Sequence, residues 1–359
     1  MRVAYTLEQC WHDVPGGTAT SMLRLAQELA DRDGIQLVGV AGRHREPPQP
    51  GYEPTVPVVS LPLARPWLYE SWRRLKWPII ESASGPVDVC HSTAGIPAPS
   101  HAPGVVTIHD IAFLKRPDRL TRQGARVLTN AVERARNAAA IACPSDVVRT
   151  DLLEAGFPAE SVSVVPWGVD VIDVSAAEID HVLEKYGLPQ EFVLAVATLE
   201  PRKNLPRLID AHARVADAPP LVIAGPSGWG GIPAALQTSS ERVFLAGHVE
   251  RAHLRALYAA AALMAYPSEE EGFGLPVLEA MAAGTPVVTS KGTATEEVAG
   301  GAAQLVDPFD TDSIADGITQ ALNNAGDLAR RSIERATSCT WAVAADRMIE
   351  VYRAVAAQS

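Results

Sequence analysis

Long apolar runs are missing from this 359-residue sequence. No uninterrupted stretch approaches the roughly 18 residues that a membrane-spanning helix needs. The opening MRVAYTLEQCWHD carries an arginine but no apolar core of signal-peptide length. Cysteine is scarce too: Cys10, Cys90, Cys143 and Cys339 lie far apart and match neither a metal-ligand spacing nor a redox pair. These absences predict a soluble, reduced, cytoplasmic protein without a zinc site. Basic charge is also short, with 31 Lys and Arg against 42 Asp and Glu, and the net charge of −11 argues against a nucleic-acid partner. The deficit is uneven: the chain is close to neutral through Asp170 and strongly acidic beyond it. The basic run between Lys115 and Arg136 reads as a solvated helix face. GxGxxG is absent, so no dinucleotide fingerprint is expected.

What the sequence has is an alternation, run through twice, of short β-rich apolar segments and amphipathic helical ones. RVAYTL, IQLVGVAG, DVCHS, GVVTIHD and AAIACPS read as strands of a first series, followed by SVSVVPWGVD. SMLRLAQELADR reads as a helix on the spacing of Met22, Leu25, Ala26 and Leu29. FVLAVATL, PLVIAGP, RVFLAGHV, ALMAYPS, TPVVTS and AAQLVD form the second series. This length and pattern predict an α/β chain of two Rossmann-like parallel-sheet domains, residues 1–168 and 169–338, with a terminal helical segment, 339–359. In that segment Trp341, Met348, Tyr352 and Val355 make one apolar stripe.

Parallel sheets put their ligands at the carboxyl ends of the strands, so a cleft between the two domains is the expected place for chemistry. In PSEEEGFGLPVLEAM, residues 267–281, a strand ends at three glutamates, and Gly272, Phe273 and Gly274 lead into a helix beginning near Leu275 and Pro276. Free amides at such a helix start favour an anion, while Glu271 and Glu279 are acceptors for hydroxyl groups. A ligand with both features is a nucleotide-sugar, its diphosphate at the helix start, its sugar on Glu271 and its ribose on Glu279. A capping cluster on a solvated helix accounts for Glu269 and Glu270 but leaves the glycines unexplained.

The Glu, seven residues, Glu spacing within EGFGLPVLEAMAAGTPVV resembles the signature of retaining glycosyltransferases of family 4. The resemblance covers nearly the whole chain and implies the GT-B fold, with an N-terminal acceptor domain, a C-terminal nucleotide-sugar domain and a last helix crossing back to the first. It implies catalytic roles for Glu271, for Lys203 and Arg202 in EPRKNL, which would stabilise the departing diphosphate, and for His109 in GVVTIHD, directed at the transferred sugar. Arg202 stands in for an arginine that many members carry where this chain has Ala197 and Thr198. The resemblance places further donor contacts at Gly16 and Gly17 between the first strand and helix, at Gly225, and at His248 and Val249 near the base. A tight turn explains the Gly16–Gly17 pair equally well, and an exposed helix start accounts for EPRKN as surface charge.

The partners implied are a nucleoside-diphosphate sugar, with GDP-mannose favoured, and a glycan or lipid-linked acceptor. No cofactor is expected, and no metal either, since no metal-holding Asp-x-Asp motif is read at a strand end. In RPWLYESWRRLKWPII, residues 65–80, tryptophans alternate with basic residues. Core packing is the favoured reading, with peripheral contact at an anionic membrane beside it. A glycoside hydrolase with paired carboxylates and a sugar-binding protein without turnover are the rival classes.

Overall fold

A computed structural model describes residues 1–115, 122–171, 173–226 and 242–357, so the basic run from Lys115 lies partly outside the described residues. The chain divides into two compact units, one of Met1–Gly168 with Trp341–Ser359, the other of Val169–Thr340. Strands of the first are β1 (Arg2–Thr6), β2 (Gln36–Ala41), β3 (Val58–Ser60), β4 (Val89–Ser92), β5 (Gly104–Thr107), β6 (Ala140–Cys143) and β7 (Val162–Val164). Among the described residues they form one parallel sheet in the order β3-β2-β1-β4-β5-β6-β7. The second unit holds β8 (Val193–Val196), β9 (Leu221–Ala224), β10 (Val243–Gly247), β11 (Leu263–Tyr266), β12 (Val287–Ser290) and β13 (Gln304–Val306). Their order is β10-β9-β8-β11-β12-β13, again all parallel. β3 goes unread in the sequence because three edge residues after a proline-rich loop are too few to show a period.

The apolar runs explain the sheets. β6, β11 and β12 are buried at every position, as parallel strands covered on both faces must be. In each sheet the winding reverses beside its first strand, between β1 and β4 and between β8 and β11. Adjacent connections there leave on opposite faces, and a crevice opens outside the carboxyl ends of those strands.

The stripe on the helix Gly16–Ala30 is buried as its spacing requires, with Met22, Leu25, Ala26 and Leu29 all at 5% exposure or less. It packs against the helix Trp341–Ala356, whose Trp341, Met348, Tyr352 and Val355 are buried. That last helix also carries a polar anchor. The Tyr352 hydroxyl lies 2.6 Å from His91 Nδ1, and Thr107 Oγ1 lies 2.7 Å from His91 Nε2. Burial pulls the His91 pKa down to about 3, so the ring is neutral and needs one donor and one acceptor. At the helix start, Arg32 donates to the Ala342 carbonyl (3.0 Å) and pairs with Asp346 (3.2 Å). The two ends of the second unit meet where Val169 N donates to the Cys339 carbonyl, 2.9 Å away.

Tyr352→Phe should leave one His91 nitrogen unpaired in the core at almost constant volume, an expected loss of about 1–3 kcal/mol. Urea unfolding checks it. A midpoint equal to wild type would show that the hydroxyl does not anchor the helix.

Candidate functional site

The site in the second unit begins with two loops that follow neighbouring strands at the reversal. After β8, Pro201–Lys203 forms a single 3-10 turn and Asn204 adopts the left-handed conformation (φ 58°) before the helix Leu205–Arg214. Asparagine tolerates that conformation better than most residues. Its side-chain amide donates to the Pro267 carbonyl (3.0 Å) and to the Pro308 carbonyl (2.6 Å). The backbone of Glu269 returns a bond to the Arg202 carbonyl, 2.8 Å away. The loop after β8 is thus stitched to the loop after β11, and their charged side chains meet.

Glu271 lies at the meeting point, 9% exposed. Lys203 Nζ donates to its Oε1 at 2.6 Å and Arg202 Nη1 to its Oε2 at 3.0 Å. Lys203 is itself 8% exposed and also donates to the Tyr266 hydroxyl at 2.7 Å, with its ammonium over the Tyr266 ring. The rest of the Arg202 fork is taken by Glu200, through Nε at 3.1 Å. Burial alone would raise the Glu271 pKa. The charges of Lys203 and Arg202 outweigh it and hold the group down at about 2. Two cations and two carboxylates therefore balance; burial lowers the Lys203 pKa, and the charge of Glu271 opposite works against that lowering.

Glu279 stands about one turn into the helix Leu275–Ala282, partly buried. Tyr258 donates its hydroxyl to Oε2 at 2.9 Å. Burial raises this carboxyl's pKa, with the positive charge of Arg251 and the Tyr258 bond opposing. The two motif glutamates thus sit in opposite electrostatic surroundings. The helix start has no side-chain cap, Pro276 brings no N–H, and Val277 N donates to the Gly274 carbonyl (3.0 Å). Gly274 has a local reason to be glycine: at φ 104° a Cβ would lie 2.6 Å from Thr295 Cγ2. Gly272 and Phe273 are buried beside it.

Gly225 follows β9 at φ 156°, where a Cβ would lie 2.0 Å from the Ala197 carbonyl oxygen, so close strand packing accounts for it without a ligand. His248 is exposed and Val249 buried just after β10. In the first unit Gly16 and Gly17 are not a loop. They form the first turn of the helix Gly16–Ala30, because a separate 3-10 turn at Glu8–Trp11 already makes the corner after β1. His109, at the end of β5, has Nε2 2.7 Å from the Thr93 carbonyl. A carbonyl only accepts, so Nε2 carries the proton and Nδ1 is left as a lone pair. Nδ1 is buried without a partner among the described residues, in a cavity lined also by Thr93 and Trp167. Burial lowers the His109 pKa, against smaller raising effects of the Thr93 bond and Asp110. Asp110 caps the following turn through the Ala112 N–H (3.2 Å).

Four residues of the site went unread in the sequence. Asn204 and Glu200 adjoin the recognised cations, but nothing in a linear string shows which carbonyls or guanidinium they reach. Tyr266 and Tyr258 look like ordinary apolar positions of a strand and a helix. The sequence does contain an Asp-x-Asp pair past β13, but Asp310 caps the helix Thr311–Asn323 through Asp312 N (2.9 Å) and Asp312 pairs with Arg214. Among the described residues no group of three His, Cys, Asp or Glu is placed to hold a metal ion.

Residues 179–338 match the family model "Glycosyl transferases group 1" and residues 15–173 match "Glycosyltransferase Family 4". The chain is 33% identical over 267 residues to O-antigen chain mannosyltransferase B of Escherichia coli, covering 69% of this chain and 70% of that protein. It is 32% identical over 203 residues to a D-inositol 3-phosphate glycosyltransferase of Mycolicibacterium smegmatis, covering 53% of this chain and 47% of the relative. Among solved structures, Anabaena HepE in complex with UDP and glucose superposes with a TM-score of 0.72 at 20% identity, over 99% of this chain and 100% of the other. Sucrose-phosphate synthase of Thermosynechococcus elongatus gives 0.75 at 20% identity, over all of both chains.

Glu271 contributes stability that is complete above its unfolded pKa of 4.5 and drains away as pH falls toward about 2. Across that window wild type should lose stability more steeply than Glu271→Gln, as urea midpoints between pH 2.5 and 6 will show. Parallel curves would mean that the carboxylate is not ion-paired in solution.

Proposed function

We propose that the chain transfers a sugar, with retention, from a nucleoside-diphosphate sugar to an acceptor hydroxyl; the premise is that it belongs to the family 4 glycosyltransferases and has their GT-B fold. One observation carries the reading further: Lys203 and Arg202 converge on Glu271 at the strand reversal of the second sheet. A diphosphate arriving there exchanges partners with Glu271. Its oxygens take the N–H groups of Lys203 and Arg202, and Glu271 turns to the sugar hydroxyls, which are donors it can accept. The cations then face the charge that grows on the phosphate as the glycosidic bond breaks, and they are already in position when it does. Glu279 holds the ribose. His109 Nδ1, an unpaired acceptor, takes a hydroxyl of the transferred sugar.

No carboxylate is assigned as a nucleophile. The departing phosphate oxygen accepts the acceptor's proton as the acceptor oxygen attacks the same face, so the proton leaves with the nucleoside diphosphate. Positioning and leaving-group electrostatics supply the rate. GDP-mannose is the favoured donor, in line with the similarity to the O-antigen mannosyltransferase. The HepE complex with UDP and glucose keeps a uridine donor in the comparison. Among the described residues no helix is long and apolar enough to cross a membrane. Of the tryptophans in residues 65–80 only Trp72 is core; Trp67, Leu75 and Trp77 are 71%, 72% and 50% exposed near Arg74 and Lys76. That surface suits peripheral contact with an anionic bilayer carrying a lipid-linked acceptor.

Thermal shifts with GDP, UDP and dTDP and their sugars test the donor: one base should stabilise the protein, and none doing so would end the reading. So would turnover of a simple aryl glycoside without nucleotide. Lys203→Ala should lower turnover at least about a hundredfold, more than Arg202→Ala, whose fork is shared with Glu200. It should weaken binding of the nucleoside diphosphate while leaving the nucleoside unaffected. Unchanged diphosphate binding would remove Lys203 from the site. Turnover should also survive EDTA, since the two cations do the neutralising; loss with EDTA and recovery with magnesium or manganese would contradict that.

A further inference from the structure

The first unit contains a second polar arrangement that the donor does not use. Glu8 opens the turn after β1 and is 4% exposed. Its Oε2 accepts the Gly42 N–H at 2.6 Å and faces His44 Nε2 at 3.0 Å, while Oε1 is buried with no partner among the described residues. The two oxygens of a carboxylate have equal need of donors. Here one has both and the other has none, an imbalance that a buried acceptor does not ordinarily tolerate unless an ordered water or a ligand completes it.

The carboxylate is fixed in place. Gly42 admits no side chain, since a Cβ would lie 2.8 Å from the Leu63 carbonyl and 3.0 Å from Glu8 Oε2. His44 is held flat against Trp11, with ring centres 4.5 Å apart and planes 8° apart, and Trp11 is tied by its indole N–H to the Glu46 carbonyl (3.1 Å). His12, the residue after the Glu8–Trp11 turn, has its Nε2 3.4 Å from the hydroxyl of Tyr69 in the helix Trp67–Leu75. β1 is one of the two strands at the reversal of the first sheet, so Glu8 stands at the mouth of its crevice. Two residues earlier Thr6 bonds Thr93, and the Thr93 carbonyl is what holds His109. Glu8 Oε1 is thus an unmet acceptor past the carboxyl end of β1. It calls for a ligand with O–H donors; phosphate, which brings acceptors and negative charge, is repelled by Glu8.

We propose that Glu8 is a specificity-determining residue that binds hydroxyl groups of a sugar acceptor, with Trp11 supplying an aromatic surface beside it. The proposal rests on the transferase reading for the identity of the first unit as the acceptor side. It selects a neutral polyhydroxy acceptor over one presenting a phosphate.

Glu8→Gln inverts one atom's polarity: the amide oxygen can keep Gly42 and His44, and the NH2 group replaces the empty acceptor with a donor. The test is ligand-observed NMR titration of the full chain with methyl α-mannopyranoside and methyl α-glucopyranoside, the donor site saturated with nucleoside diphosphate. At least one glycoside should bind wild type and bind Glu8→Gln tenfold or more weakly, with nucleoside-diphosphate affinity unchanged. Equal binding by the variant, or no glycoside binding by wild type, overturns the proposal. Should Glu8→Gln fail to fold, Trp11→Ala carries the test, and unchanged glycoside binding by it has the same force. Absence of nucleotide-sugar turnover in wild type counts against the transferase reading alone, since the titration does not depend on turnover.

Discussion

A buried carboxylate has to be answered by charge, and in the second unit the answer organises everything around it. Glu271 is ionised inside the protein only because Lys203 and Arg202 reach it, and Lys203 is a buried ammonium only because Glu271 reaches back. Removing one partner of such a pair costs about 3–5 kcal/mol, because the other is left stranded. The arrangement is a poor way to gain stability compared with apolar packing of the same volume. Its value lies in holding two cations and an acceptor a few ångströms apart, already desolvated. A ligand carrying phosphate and hydroxyls together can replace each of these contacts, and one carrying only one of the two strands a charge.

The backbone work that permits this is done by residues with no chemistry of their own. Asn204, at a positive φ, turns the chain from the loop after β8 into its helix and clamps the loop after β11. Gly274 lets the second loop enter its helix against Thr295.

The fold was legible to the extent that it is written in short-range pattern. Apolar runs such as LMAY and VVTS declare buried parallel strands, and the 3.6 spacing in SMLRLAQELADR declares a buried stripe. The pairing of charges was half legible. Lys203 and Glu271 could each be picked out at a strand end, but that they bond each other follows from strand order, β8 beside β11, which no local pattern encodes. Gly225 shows a related limit: a glycine that spares a carbonyl and one that admits a ligand look alike in a string. Gly16 and Gly17 were assigned to a loop because the corner made by Glu8–Trp11 has no turn-forming residues to announce it. Glu8 itself was invisible, since only the structure shows that one of its oxygens has no partner.

The bond between Val169 and Cys339 marks the second unit as an insertion within the first. On the ribosome this has an effect on the order of events. The first sheet emerges early, yet the helix that covers Met22 and Leu25 and supplies the hydroxyl to His91 is made only after all 172 residues of Val169–Thr340. At about 5–20 residues per second that delay is on the order of ten seconds or more. Throughout it the larger part of the first unit waits with an apolar face uncovered. Nascent chains arrested before Trp341 should therefore be the ones chaperones hold.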